Sequence, residues 1–160
     1  MKIKLSAIGK LKSGPEQELF NRYFERARTT GKQLGFSDIS LREFAPSQVA
    51  TTAQRKRQEE ALLLSPVGND SYMLALDENG QDISSTQFSQ ILATKRDAGL
   101  GELVLIIGGA DGLSPELLEN SDKTIRLGKM TWPHQLARIL IMEQIYRAMT
   151  ILSHHPYHRS

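Results

Sequence analysis

The sequence predicts an α/β fold on a mainly parallel sheet, in one domain spanning residues 1–160. Two observations carry that expectation. Strand-like runs alternate with helical ones along the whole chain, which is how parallel strands joined by crossover helices are written. The run Leu103-Val104-Leu105-Ile106-Ile107 is also apolar at every position, as a strand covered on both faces must be.

The elements follow in order. Residues 2–8 open with alternating Ile3, Leu5 and Ala7, a strand pattern. Residues 15–28 form a helix with Pro15 in the first turn, where its missing N–H costs nothing, and with Glu18 four residues before Arg22. A strand is expected over 37–44 and a long polar helix over 48–64, whose stretch Arg55-Lys56-Arg57-Gln58-Glu59-Glu60 reads as a solvated face with internal ion pairs. A strand at 72–76 leads to a helix capped by Ser84 or Ser85 and stopped at Gly99. After the strand at 102–107, Ser114-Pro115-Glu116 supplies a cap, a first-turn proline and an acid near the positive end of the helix dipole. A short strand at 124–127 precedes a final helix over about 133–152. Leu136, Ile139, Leu140, Ile141, Met142, Ile145, Tyr146, Met149 and Leu152 leave that helix little polar surface. A second subunit is the expected cover, so the sequence predicts a homodimer.

Composition excludes several classes. With no cysteine, there is neither a disulfide framework nor a thiolate metal site. Lys4, Lys10 and Lys12 interrupt any signal-like apolar run, and no stretch approaches the roughly 20 apolar residues of a membrane span. A cytoplasmic location is the expectation. Residues 123–160 hold six of the 20 lysines and arginines, all four histidines and one of the 18 acids, a bias that suits an anionic partner.

In an open parallel sheet, ligands bind beyond the carboxyl ends of the strands. Three strand ends carry the chemistry here: Leu76-Asp77, the turn Gly108-Gly109-Ala110-Asp111-Gly112, and Leu127-Gly128-Lys129-Met130-Thr131-Trp132. None contains a phosphate loop ending in Gly-Lys-Ser/Thr or a dinucleotide fingerprint. The tail His154-His155-Pro156-Tyr157-His158-Arg159 adds three imidazoles, a phenol and a guanidinium. Zinc ligation by the histidines is disfavoured, because no acid or cysteine lies near them and Pro156 restricts the backbone; no metal is expected.

Three motifs, LIIGGADGLSPE, MTWPHQLARILIMEQIYRA and the His-Pro-Tyr-His tail, occur in this order. Together with the KIKLSAIGK start and LALDENG, they make the whole chain resemble the RlmH family of SPOUT-class methyltransferases. His154 stands where members commonly carry Asn. The resemblance implies transfer of a methyl group from S-adenosylmethionine to N3 of a pseudouridine in 23S ribosomal RNA, on assembled ribosomes. It also implies a dimer and a deep trefoil knot over roughly residues 103–160, one of the rare exceptions to unknotted topology. The cofactor contacts it implies fall on Leu76, Gly108, Leu127, Gly128, Lys129, Met130, Thr131 and Trp132, with Leu76 and Met130 flanking the adenine. Catalytic roles fall on His154, His155, Tyr157 and His158. An imidazole titrating near neutrality suits removal of the N3 proton. Arg138, with no acid four residues upstream, and Arg159 are the expected RNA contacts, while Glu143 and Arg147 form a helix-face pair. The rival reading is a catalytically silent RNA-binding module of the same fold.

Overall fold

The structure, a computed structural model, describes residues 1–158; Arg159, an expected RNA contact, lies outside the described residues. Strands β1 (Lys2–Ile8), β2 (Asp38–Phe44), β3 (Ser71–Asp82), β4 (Glu102–Ile107) and β5 (Lys123–Arg126) alternate with helices α1 (Pro15–Gln33), α2 (Thr52–Leu64), α3 (Ser85–Asp97), α4 (Pro115–Asn120) and α5 (His134–Leu152). The strands form one sheet in the order β2-β1-β4-β3-β5, parallel throughout.

β4 lies at the centre, and its pleat divides the core in two. Leu103, Leu105 and Ile107 face a cluster built with Phe20 of α1, Phe88 and Leu92 of α3, and Ile141, Met142 and Ile145 of α5. Val104 and Ile106 face the other way, onto Leu63 of α2 and Leu117 of α4. Both faces are dry, which is why β4 reads as an unbroken apolar run. The predicted caps form: Ser84 makes a capping box with Gln87, and Ser114 accepts from the Leu117 amide at 3.0 Å.

Two expectations are corrected. Glu18 and Arg22 are both exposed and unpaired among the described residues, whereas Arg28 lies 3.6 Å from Glu25. The premise that α5 needs a second subunit along its whole girth also fails, because α1 and α3 of the same chain cover most of it. What this chain leaves open on α5 is Leu136 at 41% exposure; Trp132 at 39% and Met130 at 74% in the preceding segment are exposed as well.

Candidate functional site

Parallel pairing puts the carboxyl ends of β3, β4 and β5 on one rim, where they enclose a cavity of about 470 Å³. Leu76, Gly108, Leu127, Gly128, Met130, Thr131 and Trp132 all line it, as expected for cofactor residues; Lys129 is exposed and does not. The Trp132 indole donates to the Leu127 carbonyl at 3.0 Å, so the ring staples the 127–132 segment into a closed turn. Gly128 sits at φ 95°, in the left-handed region, and a Cβ there would meet nothing within 4 Å. His134 lines the same cavity, its ring lying 3.4 Å from where a Cβ on Gly9 would stand.

The glycines of the 108–112 turn have a different reason. A Cβ on Gly108 would stand 2.9 Å from the Gly112 carbonyl carbon, and one on Gly109 would stand 2.9 Å from Ile8. The turn approaches itself and β1 too closely for side chains, so Gly108 is set first by the loop's own closure and only then by a ligand's approach. The Gly112 amide completes the turn by donating to the Gly109 carbonyl at 3.1 Å.

Helix α2 holds that turn from behind, which corrects the reading of residues 55–60 as a solvated face. Arg55 Nε donates to Asp111 at 2.7 Å, Lys56 Nζ donates to the Leu113 carbonyl at 3.0 Å, and Glu60 accepts from the Ser114 hydroxyl at 2.5 Å. Glu59 is buried and accepts from the Ser47 amide at 3.0 Å. Positions 55, 56, 59 and 60 share one helical face; Arg57 and Gln58 point to solvent. The hydrogen bond from Arg55 holds the Asp111 carboxyl below its usual range.

Sequence reasoning also missed the second half of β3, residues 77–82. After pairing Leu76 with Ile125, the strand bulges through 77–80 and rejoins with Gln81 opposite the same Ile125. Gly80 packs flat on that residue, since a Cβ would stand 2.5 Å from the Ile125 carbonyl carbon. Arg126 then closes a two-pronged pair with Asp82 at 2.7 and 2.6 Å, which holds the Asp82 carboxyl below its usual range. The signal was the Asn79-Gly80 pair in the middle of an otherwise strand-like segment.

Arg138 is not a surface residue. It has no exposed area, pairs with Glu43 of β2 and donates to the Ile8 carbonyl at 2.9 Å. Burial pushes its guanidinium pKa down, with Glu43 opposing. A fully enclosed side chain cannot meet RNA, so that expectation is withdrawn.

The tail forms a defined structure. His154 has φ 54°, its amide donates to Ile151, and the His155 amide donates to Thr150, the paired bonds of a Schellman stop followed by Pro156. A left-handed residue costs a β-carbon-bearing side chain roughly 1 kcal/mol, and Asn bears it better than His. His154→Asn is therefore expected to raise the melting temperature by about 1–3 °C, read by calorimetry; an unchanged or lower value would contradict this geometry. Beyond the stop, the chain folds back along α5. Tyr157 donates to Glu143 at 3.0 Å, its ring lies 4.8 Å from that of Tyr146, and Arg147 sits 5.0 Å over it. Arg147 is bonded to Glu143 as the i,i+4 spacing predicts and lies 3.5 Å from His158. Burial, together with the nearby Tyr23 and the Glu143 carboxylate, pushes the Tyr157 phenol well up, so it keeps the proton that it donates to Glu143.

The tail is separated from the cavity in its own chain. Glu143, where Tyr157 docks, lies nine residues beyond the cavity residue His134, about half a turn out of phase on α5 and some 13 Å along it. The structure brings the three strand ends together, and the tail docks farther along α5, out of phase with His134. Among the described residues no group of three His, Cys, Asp or Glu is placed to hold a metal, and no helix is long and apolar enough to cross a membrane.

Residues 1–158 match the family described as "Predicted SPOUT methyltransferase". The chain belongs to this family. It is 50% identical over 159 residues to a Ribosomal RNA large subunit methyltransferase H of Rhizobium leguminosarum bv. trifolii, covering 99% of each chain. It is 46% identical over 160 residues to the protein of that name from Bradyrhizobium diazoefficiens, covering 100% of each. With the Rhizobium meliloti protein of that name the identity is 48% over 160 residues, again complete on both sides.

Proposed function

We propose that the chain methylates N3 of a pseudouridine in large-subunit ribosomal RNA, with S-adenosylmethionine as methyl donor. The observation that carries this reading is the meeting of the three strand ends around one cavity, in a chain whose full-length relatives are named for methylation of that RNA. The cavity's size suits a nucleoside-sized ligand. Its residues fit as well: half-buried Leu76 and Leu127 with exposed Met130 offer apolar walls for an adenine, and the open left-handed Gly128 lets backbone amides approach. When bound, the cofactor supplies an electrophilic methyl group on sulfur, so the protein's part is positioning and removal of one proton. The 127–132 turn, stapled by Trp132, and the 108–114 turn, held by α2, fix where that methyl group sits. His154, His155 or His158 takes the N3 proton, and Tyr157, whose hydroxyl proton is held by Glu143, helps position the base through its ring.

The same reading includes the homodimer and the knot. With the tail docked on α5 away from His134 of its own cavity, a second copy is the direct way to deliver His154, His155, Tyr157 and His158 to a cofactor site. The apolar surface left at Leu136, Trp132 and Met130 supports such an interface. A knot over roughly 103–160 is in keeping with β5 entering outside β3 and the chain returning to α5 between α1 and α3. The test is mass spectrometry of 23S rRNA from a strain lacking this gene, with and without a complementing copy, together with calorimetry of S-adenosylmethionine on the purified protein. The reading requires a methylated pseudouridine that appears only with the complementing copy. Cofactor binding with no change in the RNA would refute the substrate, and absence of binding would refute the chemistry.

A further inference from the structure

The charged side chains lining the 470 Å³ cavity are Lys56, Asp77, Glu78, Asp111 and Arg126. Two are already neutralised: Arg126 by Asp82 at 2.6 Å, and Asp111 by Arg55 at 2.7 Å. Lys56 differs. Its ammonium donates to the Leu113 carbonyl at 3.0 Å, and among the described residues it enters no ion pair. An ammonium has three hydrogens, so two remain available. The group is also held in place, since Arg55 and Glu60 on the same helical face fasten α2 to the 108–114 turn. Gly112, at φ 75°, borders it: a Cβ there would stand 4.0 Å from Lys56 Nζ, in ordinary contact.

We infer that Lys56 is a cofactor-binding residue whose ammonium receives the carboxylate of the methionine portion of S-adenosylmethionine. The inference rests on the cofactor reading above. That carboxylate is the cofactor's one anionic group, and enclosing it without a partner would be costly. Lys56 is the cavity's one lysine or arginine that forms no salt bridge among the described residues, although the nearby Asp111 carboxyl feels its charge. Asp77 and Glu78, lining the cavity with the opposite sign, leave the carboxylate no comparable seat beside them. Lys56 therefore sets which end of the ligand faces α2.

The experiment is a four-way calorimetric cycle: parent and Lys56→Gln, each titrated with S-adenosylmethionine and with decarboxylated S-adenosylmethionine, which lacks only the carboxylate. A charge-assisted contact predicts that the parent prefers the carboxylated ligand by about tenfold or more, and that the variant's preference falls to about threefold or less. Lys56→Arg should restore most of the preference. If Lys56 merely props the turn through Leu113, the variant will bind both ligands more weakly and keep the parental preference, which overturns the inference. A variant that binds like the parent overturns it too. A parent that binds neither ligand overturns the cofactor reading itself, a result distinct from either.

Discussion

Glu43→Ala is expected to destabilise the protein by about 3–5 kcal/mol, the largest stability effect of any single substitution considered. Arg138 has no exposed area, its Nε has no partner, and its remaining bonds go to Glu43 and the Ile8 carbonyl. Removing Glu43 leaves an enclosed guanidinium, a group that keeps its charge in proteins. It also strips the Leu11 amide of the carboxylate oxygen it donates to at 2.9 Å. The double variant Glu43→Ala, Arg138→Met removes the stranded charge while keeping a long apolar stem, and should recover much of the loss. Urea unfolding at one fixed protein concentration measures both, since association changes apparent stability. A loss below about 1 kcal/mol for Glu43→Ala, the range of solvated surface pairs, would mean that Arg138 is not enclosed.

That pair marks where sequence reasoning stops. The absence of an acid four residues before Arg138 does indicate that it lacks a partner on its own helix. The partner sits on β2, 95 residues away, and nothing local points to it. Local signals fared better. The Ser84 and Ser114 caps, the Pro15 and Pro115 helix starts and the apolar β4 all express rules that operate within a few residues, and all form as expected. The rim of the candidate site was legible for a related reason. Parallel strands align their carboxyl ends, so three loops identified one at a time had to meet.

What was hidden depends on tertiary partners. Residues 55–60 have the composition of a solvated face and become a clasp because the 108–114 turn arrives beside them. The apolar girth of α5 suggested a partner subunit throughout because a helical wheel does not show that α1 and α3 already lie against it. The tail's residue types were read as a site, whereas its anchoring to Glu143 and Tyr146 of α5 needed the fold.

Removal of residues 154–160 is expected to abolish methylation while leaving S-adenosylmethionine binding close to parental, because no cavity residue lies beyond Ala137. Some stability will go with it: the Tyr146–Tyr157 ring contact alone is worth roughly 0.5–1.5 kcal/mol. Binding and melting must therefore be measured on the truncated protein, so that lost activity is not confused with lost structure. Tyr157→Phe is a milder form of the same test. It removes the hydroxyl that donates to Glu143 but keeps the ring under Arg147, and Arg147 still satisfies the carboxylate. The decisive arm is mixing. A tail-less chain with an intact cavity is combined with a full-length chain whose cavity is spoiled by Gly108→Val, a change the close approach of Gly112 makes disruptive. Neither homodimer should methylate ribosomes. If each tail serves the partner's cavity, random mixing restores about a quarter of the parental sites, because half the dimers are mixed and each has one complete site. If each tail serves its own cavity, no pairing assembles a complete site and the mixture stays silent. The half-turn offset between Glu143 and His134 on α5 favours recovery, and silence from a mixture proven to contain heterodimers would mean that the tail leaves its docked position to reach the cavity of its own chain.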